Sequence, residues 1–312
     1  MGPAPLIILT GATATGKSQV ALILAQRLGI PILGADSRQV YRELDIGTAK
    51  PSASERALVP HYLIDICEPT ATLTLADYQS RAQQLIEQLG LPLLLVGGTG
   101  LYLQAIAEGL KIPRVPPQPQ LRQQLEDLGQ VHCYAMLREV DPEAAHKIAP
   151  SDQVRTLRAL EVYYVSGQPI STQRGANPPP YPIIKLALDG DRQYLATKIG
   201  QRVAQMIEQG LVQEVEGLME RYGPQLPLLK TLGYGEIQAY LQGECSLAQA
   251  QELIALHTRQ FAKRQRTWFR GDGALQWFDC AQSPQTLAEQ ILNYLEIQGM
   301  SVYCSPEIGR EK

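Results

Sequence analysis

The segment Gly11–Ser18 restricts the fold of this 312-residue chain more than any other feature of its sequence. It reads Gly-Ala-Thr-Ala-Thr-Gly-Lys-Ser and matches the pattern G-x-x-x-x-G-K-[ST] in full. A short apolar run, Leu6–Thr10, precedes it, and the following residues, Lys17–Leu28, have apolar positions at helical spacing. A strand, a glycine-bounded loop and a helix in this order predict a phosphate-binding P-loop.

The P-loop predicts a site for a polyphosphate, without showing that the ligand is ATP. The backbone N–H groups of such a loop converge on an anion, and the helix N-terminus adds partial positive charge. Lys17 can reach the terminal phosphate, and the Ser18 hydroxyl can ligate Mg²⁺. The predicted phosphate-binding residues are Gly11, Thr13, Ala14, Thr15, Gly16, Lys17 and Ser18.

Further apolar runs predict an α/β fold. Strands are expected at Ile30–Ala35, Pro92–Val96 and Ile183–Leu188, and long helices at Asp191–Glu216 and Leu247–Arg270. Continuous apolar strands that alternate with helices are typical of a parallel sheet buried on both faces. Because 45% of the residues are hydrophobic, the chain can fill a sizeable core. We therefore predict a P-loop NTPase-like parallel sheet flanked by helices.

Two proline-rich segments indicate an insertion. Residues 112–120 and residues 177–182 each contain four prolines, and the stretch between them is polar and helix-prone. Proline clusters of this kind often mark domain edges. We predict a core of residues 1–112 and 183–312, and a mostly helical inserted subdomain of residues 113–182.

Composition excludes several classes of protein. With 28 basic and 31 acidic residues, the net charge of −3 does not suit a strongly basic nucleic-acid binder, so any such contact needs a local basic patch. Five cysteines without a C-x-x-C pair argue against a disulfide framework or a zinc site and indicate a reducing compartment. No apolar run approaches the length of a membrane span. We expect a cytoplasmic protein.

Asp36 follows the second predicted strand, and the residues alone leave two roles open. Ligands of open parallel sheets bind outside the carboxyl ends of the strands, so Asp36 could face the same crevice as the P-loop. It could equally cap the next helix. The strand Leu93–Val96 ends in Gly97–Gly100 without a carboxylate, whereas an ATPase or kinase usually has an acidic residue there to help hold Mg²⁺.

Six sequence blocks resemble those of tRNA dimethylallyltransferases, the tRNA isopentenyltransferase family. Together with the P-loop, they follow the order of the family from residue 11 to residue 270. The blocks are A-D-S-R-Q-V-Y (35–41), L-D-I-G-T-A-K-P (44–51), P-H-Y-L-I-D (60–65), V-G-G-T-G-L-Y (96–102), R-A-L-E-V (158–162) and K-R-Q-R-T-W-F-R (263–270). The block at 44–51 is far more specific than the P-loop. One departure is Gly235, where the family usually has Lys or Arg.

The resemblance implies transfer of a dimethylallyl group from its diphosphate to N6 of an adenosine beside the anticodon. It implies catalytic roles for Asp36, Lys17 and Thr99, with Asp36 as proton acceptor. It also implies a diphosphate contact by Arg202, although a solvated helix face would explain Arg202 and Lys198 equally well. Mg²⁺ is the expected cofactor, the anticodon stem-loop of tRNA and dimethylallyl diphosphate are the expected partners, and a monomer is expected.

The same resemblance implies a set of tRNA contacts in the core and the insertion: Asp36, Ser37, Arg38, Gln39, Thr99, Arg122, Gln153, Arg155, Arg158, Lys263, Arg264, Arg266 and Arg270.

The segment Leu253–Arg270 is expected to form one amphipathic helix. At 3.6 residues per turn its basic stripe comprises Arg259, Lys263, Arg266 and Arg270, without an interleaved acid. The opposite stripe of Ile254, Phe261 and Trp268 is expected to pack on the core. A solvated face is the alternative for the basic stripe, but four like charges repel one another, and an RNA backbone would relieve that cost.

Three other functions remain open on sequence alone. The first is a prenyltransferase that acts on free adenine nucleotides, which needs neither the insertion nor the basic stripe. The second is a P-loop kinase for a small molecule, which the missing carboxylate after Val96 disfavours. The third is an RNA-binding module with a structural nucleotide, which the position of Asp36 disfavours.

Overall fold

The computed structural model describes residues 4–300, which fold into two compact units. The first, here called the sheet unit, comprises residues 4–73, 81–103 and 180–300. The second, the helical unit, comprises residues 74–80 and 104–179. The sequence predicts an insertion of residues 113–182. The helical unit of the structure begins earlier than residue 113 and ends at residue 179, three residues before the predicted end. The prolines mark only the places near residues 113 and 180 where the chain passes from one unit to the other. They give no sign that the short segment 74–80 also belongs to the helical unit.

Six strands form one sheet in the order β3-β2-β4-β1-β5-β6, and all neighbouring pairs are parallel. The strands are β1 (Leu6–Gly11), β2 (Ile32–Gly34), β3 (His61–Tyr62), β4 (Leu93–Val96), β5 (Ile183–Asp189) and β6 (Gln276–Asp279). The predicted α/β class is confirmed. The strand expected at Ile30–Ala35 is shorter at both ends, and the one expected at Pro92–Val96 begins at Leu93.

The apolar runs form strands because both faces of the sheet are covered. Every residue of β1 is buried, and its side chains join those of the first helix, α1 (Lys17–Leu28), and the last helix, α14 (Pro284–Ile297), in one core cluster. This is the arrangement that produces continuous apolar strands rather than alternating ones. It fixes the carboxyl ends of β1, β2 and β4 side by side.

The remaining helices with residues in the sheet unit are α2 (Ala53–Leu58), α3 (Leu75–Leu89), α4 (Gly100–Ala107), α10 (Arg192–Glu208), α11 (Leu211–Tyr222), α12 (Tyr234–Leu241) and α13 (Leu247–Arg270), with a 3₁₀ turn at Pro227–Lys230. Both α3 and α4 also contribute residues to the helical unit. The expected helix Leu247–Arg270 is confirmed to the residue.

One long helix at Asp191–Glu216 was a wrong prediction. The chain forms α10 and α11 instead, separated at Gln209 and Gly210. Gly210 has a φ of 102°, a left-handed conformation that ends a helix and that glycine adopts at little cost. The apolar periodicity resumes after the break, with Leu211, Val215 and Leu218 buried. Periodicity alone therefore does not reveal that the helix is interrupted.

The helical unit has its own core. Its helices are α5 (Pro119–Leu128), α6 (Gln130–Val140), α7 (Pro142–Lys147), α8 (Gln153–Ser166) and α9 (Ile170–Gln173). Buried side chains from these five helices form one apolar cluster that includes Leu125, Leu137 and Leu160. The mostly helical character predicted for the insertion is confirmed.

Within residues 4–300, no helix is both long and apolar enough to cross a membrane. Four cysteines in this range, Cys67, Cys133, Cys245 and Cys280, are free thiols, and Cys304 lies outside the described residues.

Candidate active site

A cavity of about 110 Å³ lies at the carboxyl ends of the central strands of the sheet unit. Its polar wall includes the P-loop and the residues that follow β2 and β4, and its remaining wall is apolar. The polar lining comprises Thr13, Lys17, Ser18, Asp36, Gln39, Thr48, Glu55, His61, Arg202 and Gln265. The apolar lining includes Ala21, Leu22, Ile32, Pro51, Ile64, Val96 and Phe261. The cavity can therefore hold a ligand with an anionic end and a hydrocarbon end.

Lys17 opens α1 and is folded back onto its own loop. Its Nζ donates a hydrogen bond of 2.7 Å to the carbonyl oxygen of Ala12. Burial, together with the nearby Arg202, lowers the pKa of Lys17 to about 8, whereas Asp36 opposes the shift. A lysine held this way gains a partner when an anion enters the loop. Ser18, the next residue, is exposed to the cavity.

Asp36 fills one of the two roles that the sequence left open, since it faces the cavity, and it does not cap a helix. Its Oδ1 accepts hydrogen bonds from the N–H groups of Arg38 (2.8 Å) and Gln39 (3.4 Å), so it caps a turn rather than a helix. It lines the same cavity as the P-loop and acts electrostatically on Lys17 and Arg202. Because one oxygen holds the turn, the carboxylate is fixed in the cavity wall.

Arg202 reaches the cavity from α10. Burial lowers the pKa of its guanidinium, and Asp36 partly reverses that shift. Lys198, one turn earlier, points its Nζ over the ring of Tyr194 at 5.5 Å and is exposed. Arg202 alone of the two is therefore a candidate for contact with a diphosphate.

Ser37, Gln39 and Thr99 hold the loop that carries Asp36. The Oγ1 of Thr99 accepts a hydrogen bond of 3.0 Å from the Ser37 N–H. Gln39 donates through Nε2 to the carbonyl oxygens of Thr48 (3.0 Å) and Ala49 (3.1 Å). Thr99 thus contacts the backbone of the Asp36 loop, and Gln39 ties that loop to the next cavity wall.

The block at residues 44–51 forms that wall, and Glu214 of α11 anchors it. The Glu214 carboxylate accepts hydrogen bonds from the N–H groups of Asp45 (3.0 Å), Ile46 (2.8 Å) and Gly47 (3.1 Å). Tyr234 donates to the same carboxylate at 2.6 Å, and burial with this neighbour raises the pKa of the phenol strongly. A Cβ on Gly47 would lie 2.4 Å from the Tyr234 ring, so only glycine fits there.

Two cavity residues that the sequence analysis missed, Phe261 and Gln265, come from α13. The predicted apolar stripe of this helix was wrong in part, because Phe261 (39%) and Trp268 (45%) remain exposed. The buried face is instead Ala250, Ile254, Thr258, Ala262, Gln265 and Phe269. Two polar residues are tolerated on this face because each has a hydrogen-bond partner: Thr258 bonds Ile254 O, and Gln265 bonds Gly98 O.

The basic stripe of α13 has no acid within the helix, as the sequence shows, but it has an acidic partner on β5. Asp189 lies 2.9 Å from Arg266 Nε and 3.3 Å from Arg270 Nη2. Lys263 is exposed, and the Arg264 guanidinium lies 5.8 Å from the centroid of the Phe261 ring. The stripe thus consists of two arginines paired with Asp189 and two exposed cations, Arg259 and Lys263.

In the helical unit, two predicted tRNA contacts are engaged with a buried acid. Arg122 binds both oxygens of Glu161 at 2.8 Å, and Arg158 binds Glu161 and the carbonyl oxygen of Val115. Burial works to raise the pKa of Glu161, but hydrogen bonds from Arg122, the Gln118 N–H and Arg158 together lower it. Gln153 and Arg155, at the start of α8, are exposed.

The donor set of the cavity fits a magnesium ion that takes most of its ligands from a substrate. Among the described residues, no group of three or more His, Cys, Asp or Glu side chains could hold a metal by itself. The oxygen groups that line the cavity include the Ser18 hydroxyl, directly after Lys17, and the carboxylate of Asp36. Mg²⁺ commonly binds through one or two protein oxygens, substrate phosphates and waters.

Comparisons with known proteins show the family of the chain. The family model for IPP transferase matches residues 39–272. A tRNA dimethylallyltransferase of Synechocystis is 63% identical over 278 residues, which cover 89% of this chain and 92% of the relative. One of Rippkaea orientalis is 64% identical over 277 residues, covering 88% and 93%.

Solved structures give the same result. The full-length tRNA isopentenylpyrophosphate transferase of Bacillus halodurans matches with a TM-score of 0.70 and 34% identity over 95% of this chain and 96% of its own. A eukaryotic dimethylallyltransferase studied in the act of modifying tRNA matches with a TM-score of 0.82 and 25% identity over 96% and 81%. The chain belongs to the IPP transferase family.

Proposed function

We propose that this chain transfers the dimethylallyl group of dimethylallyl diphosphate to N6 of the adenosine 3′-adjacent to the anticodon of tRNA. The observation that carries the proposal is that Lys17, Asp36 and Arg202 line one cavity with an apolar wall. The reaction forms a bond between the prenyl C1 and N6, breaks the bond between C1 and the diphosphate oxygen, and removes one proton from N6. The products are N6-isopentenyladenosine and diphosphate.

The leaving diphosphate gathers negative charge, and fixed cations and dipoles aimed at that charge lower the barrier. The P-loop N–H groups, Lys17 and Arg202 supply them. Lys17 exchanges its hydrogen bond to Ala12 O for a phosphate oxygen. Mg²⁺, held by the Ser18 hydroxyl and by phosphate oxygens, would add further positive charge to the leaving group when bound.

The nucleophile is an exocyclic amine that must lose a proton as the bond forms. The adenosine has to leave its stack to enter the cavity. The carboxylate of Asp36, already fixed through Oδ1, then orients the amine and accepts its proton. The prenyl chain lies along the apolar lining, where water is excluded.

The tRNA is proposed to bind through its backbone to exposed basic side chains. In the sheet unit these are Arg38, Lys263, Arg264 and the outer surfaces of Arg266 and Arg270, with Ser37, Gln39 and Thr99 near the base. In the helical unit they are Arg155 and the partly exposed Arg122 and Arg158, together with the polar Gln153. The ion pairs of Arg122, Arg158, Arg266 and Arg270 also give these residues a structural role.

The experiment that tests the proposal is a transfer assay with labelled dimethylallyl diphosphate and either bulk tRNA or AMP. Label in tRNA alone is the expected result. Label in AMP alone would establish the free-nucleotide alternative, and label in neither acceptor would refute the proposal. The variant Lys17→Ala serves as the control, because it should lose transfer while keeping its fold.

A further inference from the structure

Gln265 connects the basic helix α13 to the P-loop and to the turn after β4, with one hydrogen bond to each. Its Oε1 accepts from the Thr13 N–H at 2.8 Å, and its Nε2 donates to the carbonyl oxygen of Gly98 at 2.9 Å. The residue is 7% exposed and lines the cavity. A Cβ on Gly98 would lie 2.5 Å from this Nε2, so the approach requires glycine at residue 98.

The contact with Thr13 occupies a backbone donor inside the loop. An unpaired, buried N–H costs roughly 1–3 kcal/mol, so the loop is held with Thr13 turned toward α13. The N–H groups that remain for an anion are those nearer the start of α1. Gln265 therefore determines which part of the loop faces a diphosphate and how firmly the loop is held.

The neighbours of Gln265 on α13 face outward. Lys263 and Arg264 are exposed, and the Arg264 guanidinium covers one side of Phe261, which itself lines the cavity. One rigid helix thus carries an outward surface that suits an RNA backbone and an inward side chain bonded to the P-loop. A shift of this helix on binding RNA would act directly on Thr13 and Gly98.

We propose that Gln265 is a positioning residue that couples RNA binding on α13 to diphosphate binding in the P-loop. The inference rests on the function proposed above for this cavity. Coupling between two sites is reciprocal, so a bound RNA tightens diphosphate binding by the same factor as diphosphate tightens RNA binding. Each reactant then favours a loop already shaped for the other.

The test measures binding of inorganic pyrophosphate with and without a saturating anticodon stem-loop RNA, by calorimetry. In the unsubstituted protein, RNA should tighten pyrophosphate binding by about fivefold or more, the usual range for coupled sites. In Gln265→Ala the factor should fall below about twofold. Gln251→Ala, four turns earlier on α13 and only partly buried, is the matched control and should keep the full factor.

A second variant separates positioning from packing. Gln265→Glu keeps an acceptor for the Thr13 N–H but loses the donor to Gly98 O and places a negative charge beside the anion. Relative to the unsubstituted protein at each pH, its pyrophosphate affinity should be about tenfold weaker at pH 8 and should recover near pH 5.5, where a carboxyl of raised pKa regains its proton. Loss of thermal stability alone would not produce this pH dependence. The Gln265→Glu variant also provides the test if Gln265→Ala does not fold.

Three results would overturn the inference: no coupling in the unsubstituted protein, an undiminished factor in Gln265→Ala, or a Gln265→Glu affinity that does not respond to pH. The binding probes require no turnover, so they are independent of the transfer assay. A protein that shows the coupling but transfers no label to tRNA would retain this inference and lose the proposed reaction. A protein that transfers label to tRNA without coupling would retain the proposed reaction and lose this inference.

Discussion

Two regions of the molecule place arginine beside a carboxylate, and they do so to different ends. In the helical unit, Glu161 is fully buried and receives hydrogen bonds from two guanidiniums and one backbone N–H. In the cavity of the sheet unit, Lys17 and Arg202 face Asp36 at longer range, and burial lowers the pKa of both cations. In the first cluster, every charge has a partner in hydrogen-bond contact. In the second, the incomplete cluster, burial disfavours the charged form of two cations.

The difference shows how to separate structural charges from functional ones. A buried charge with all its partners stabilises the fold, and removing one partner leaves the other unpaired. A partly buried cation whose pKa is depressed gains free energy when an anion arrives. The sequence cannot make this distinction, since Arg122 and Arg202 are both arginines on amphipathic helices.

The largest effect is expected at the incomplete cluster. Asp36→Asn keeps an Oδ1 acceptor for the turn but removes the charge that accepts the N6 proton. The kcat for tRNA prenylation should fall by about 10²–10⁴, the usual contribution of general base catalysis, while pyrophosphate affinity stays constant or rises. Steady-state kinetics with Asp127→Asn, an exposed carboxylate of the helical unit, as control would test this. A kcat within twofold of the unsubstituted value contradicts the assignment.

The complete cluster should respond in stability rather than in binding. Glu161→Ala should cost about 3 kcal/mol, the lower end for a broken buried pair, because the two guanidiniums are partly exposed and can recover water. Pyrophosphate binding in the sheet unit should be unchanged. Thermal melting would compare this variant with Glu143→Ala, whose exposed pair with Lys147 is worth under about 0.5 kcal/mol. Equal melting temperatures for the two variants would mean that the Glu161 cluster does not stabilise the fold more than an exposed ion pair does.

A third effect follows from the pKa of Lys17, which burial and Arg202 lower to about 8. Because the protonated form binds the anion, pyrophosphate affinity should fall as pH rises above about 8, by up to roughly tenfold for each unit. Lys17→Arg, whose guanidinium stays charged, should lack this fall, and the ratio of the two proteins cancels the titration of pyrophosphate itself. A ratio independent of pH from 7 to about 9.5 would mean that Lys17 does not titrate in the cavity.

The sequence predicts this site well where the information is local. The P-loop, α1 and the strand before it are contiguous, and α13 has a clear start, since Ser246 and Gln249 form a capping box. The meeting of Asp36 with the P-loop also follows from a general rule of parallel sheets. These parts need no knowledge of contacts between distant segments.

The parts that the sequence does not predict depend on distant partners. Gln265 reads as a polar, outward residue, yet it is buried because Thr13 and Gly98, 252 and 167 residues away, complete its hydrogen bonds. The basic stripe reads as unpaired because Asp189, its acid, lies on β5. Glu214 shows no signal either, since its three N–H partners are in the block at residues 44–51.

The smallest effect expected concerns the two halves of the basic stripe. If exposed cations bind the RNA backbone, Lys263→Ala should reduce the slope of log K against log salt concentration by about one. Arg266→Ala should reduce that slope less, because Asp189 already neutralises Arg266 at 2.9 Å, and it should instead lower the melting temperature. Titration of an anticodon stem-loop RNA from about 50 to 200 mM salt would show this. An equal loss of slope in both variants would mean that the Asp189 pair opens on binding RNA, and that paired arginines in this molecule also serve its substrate.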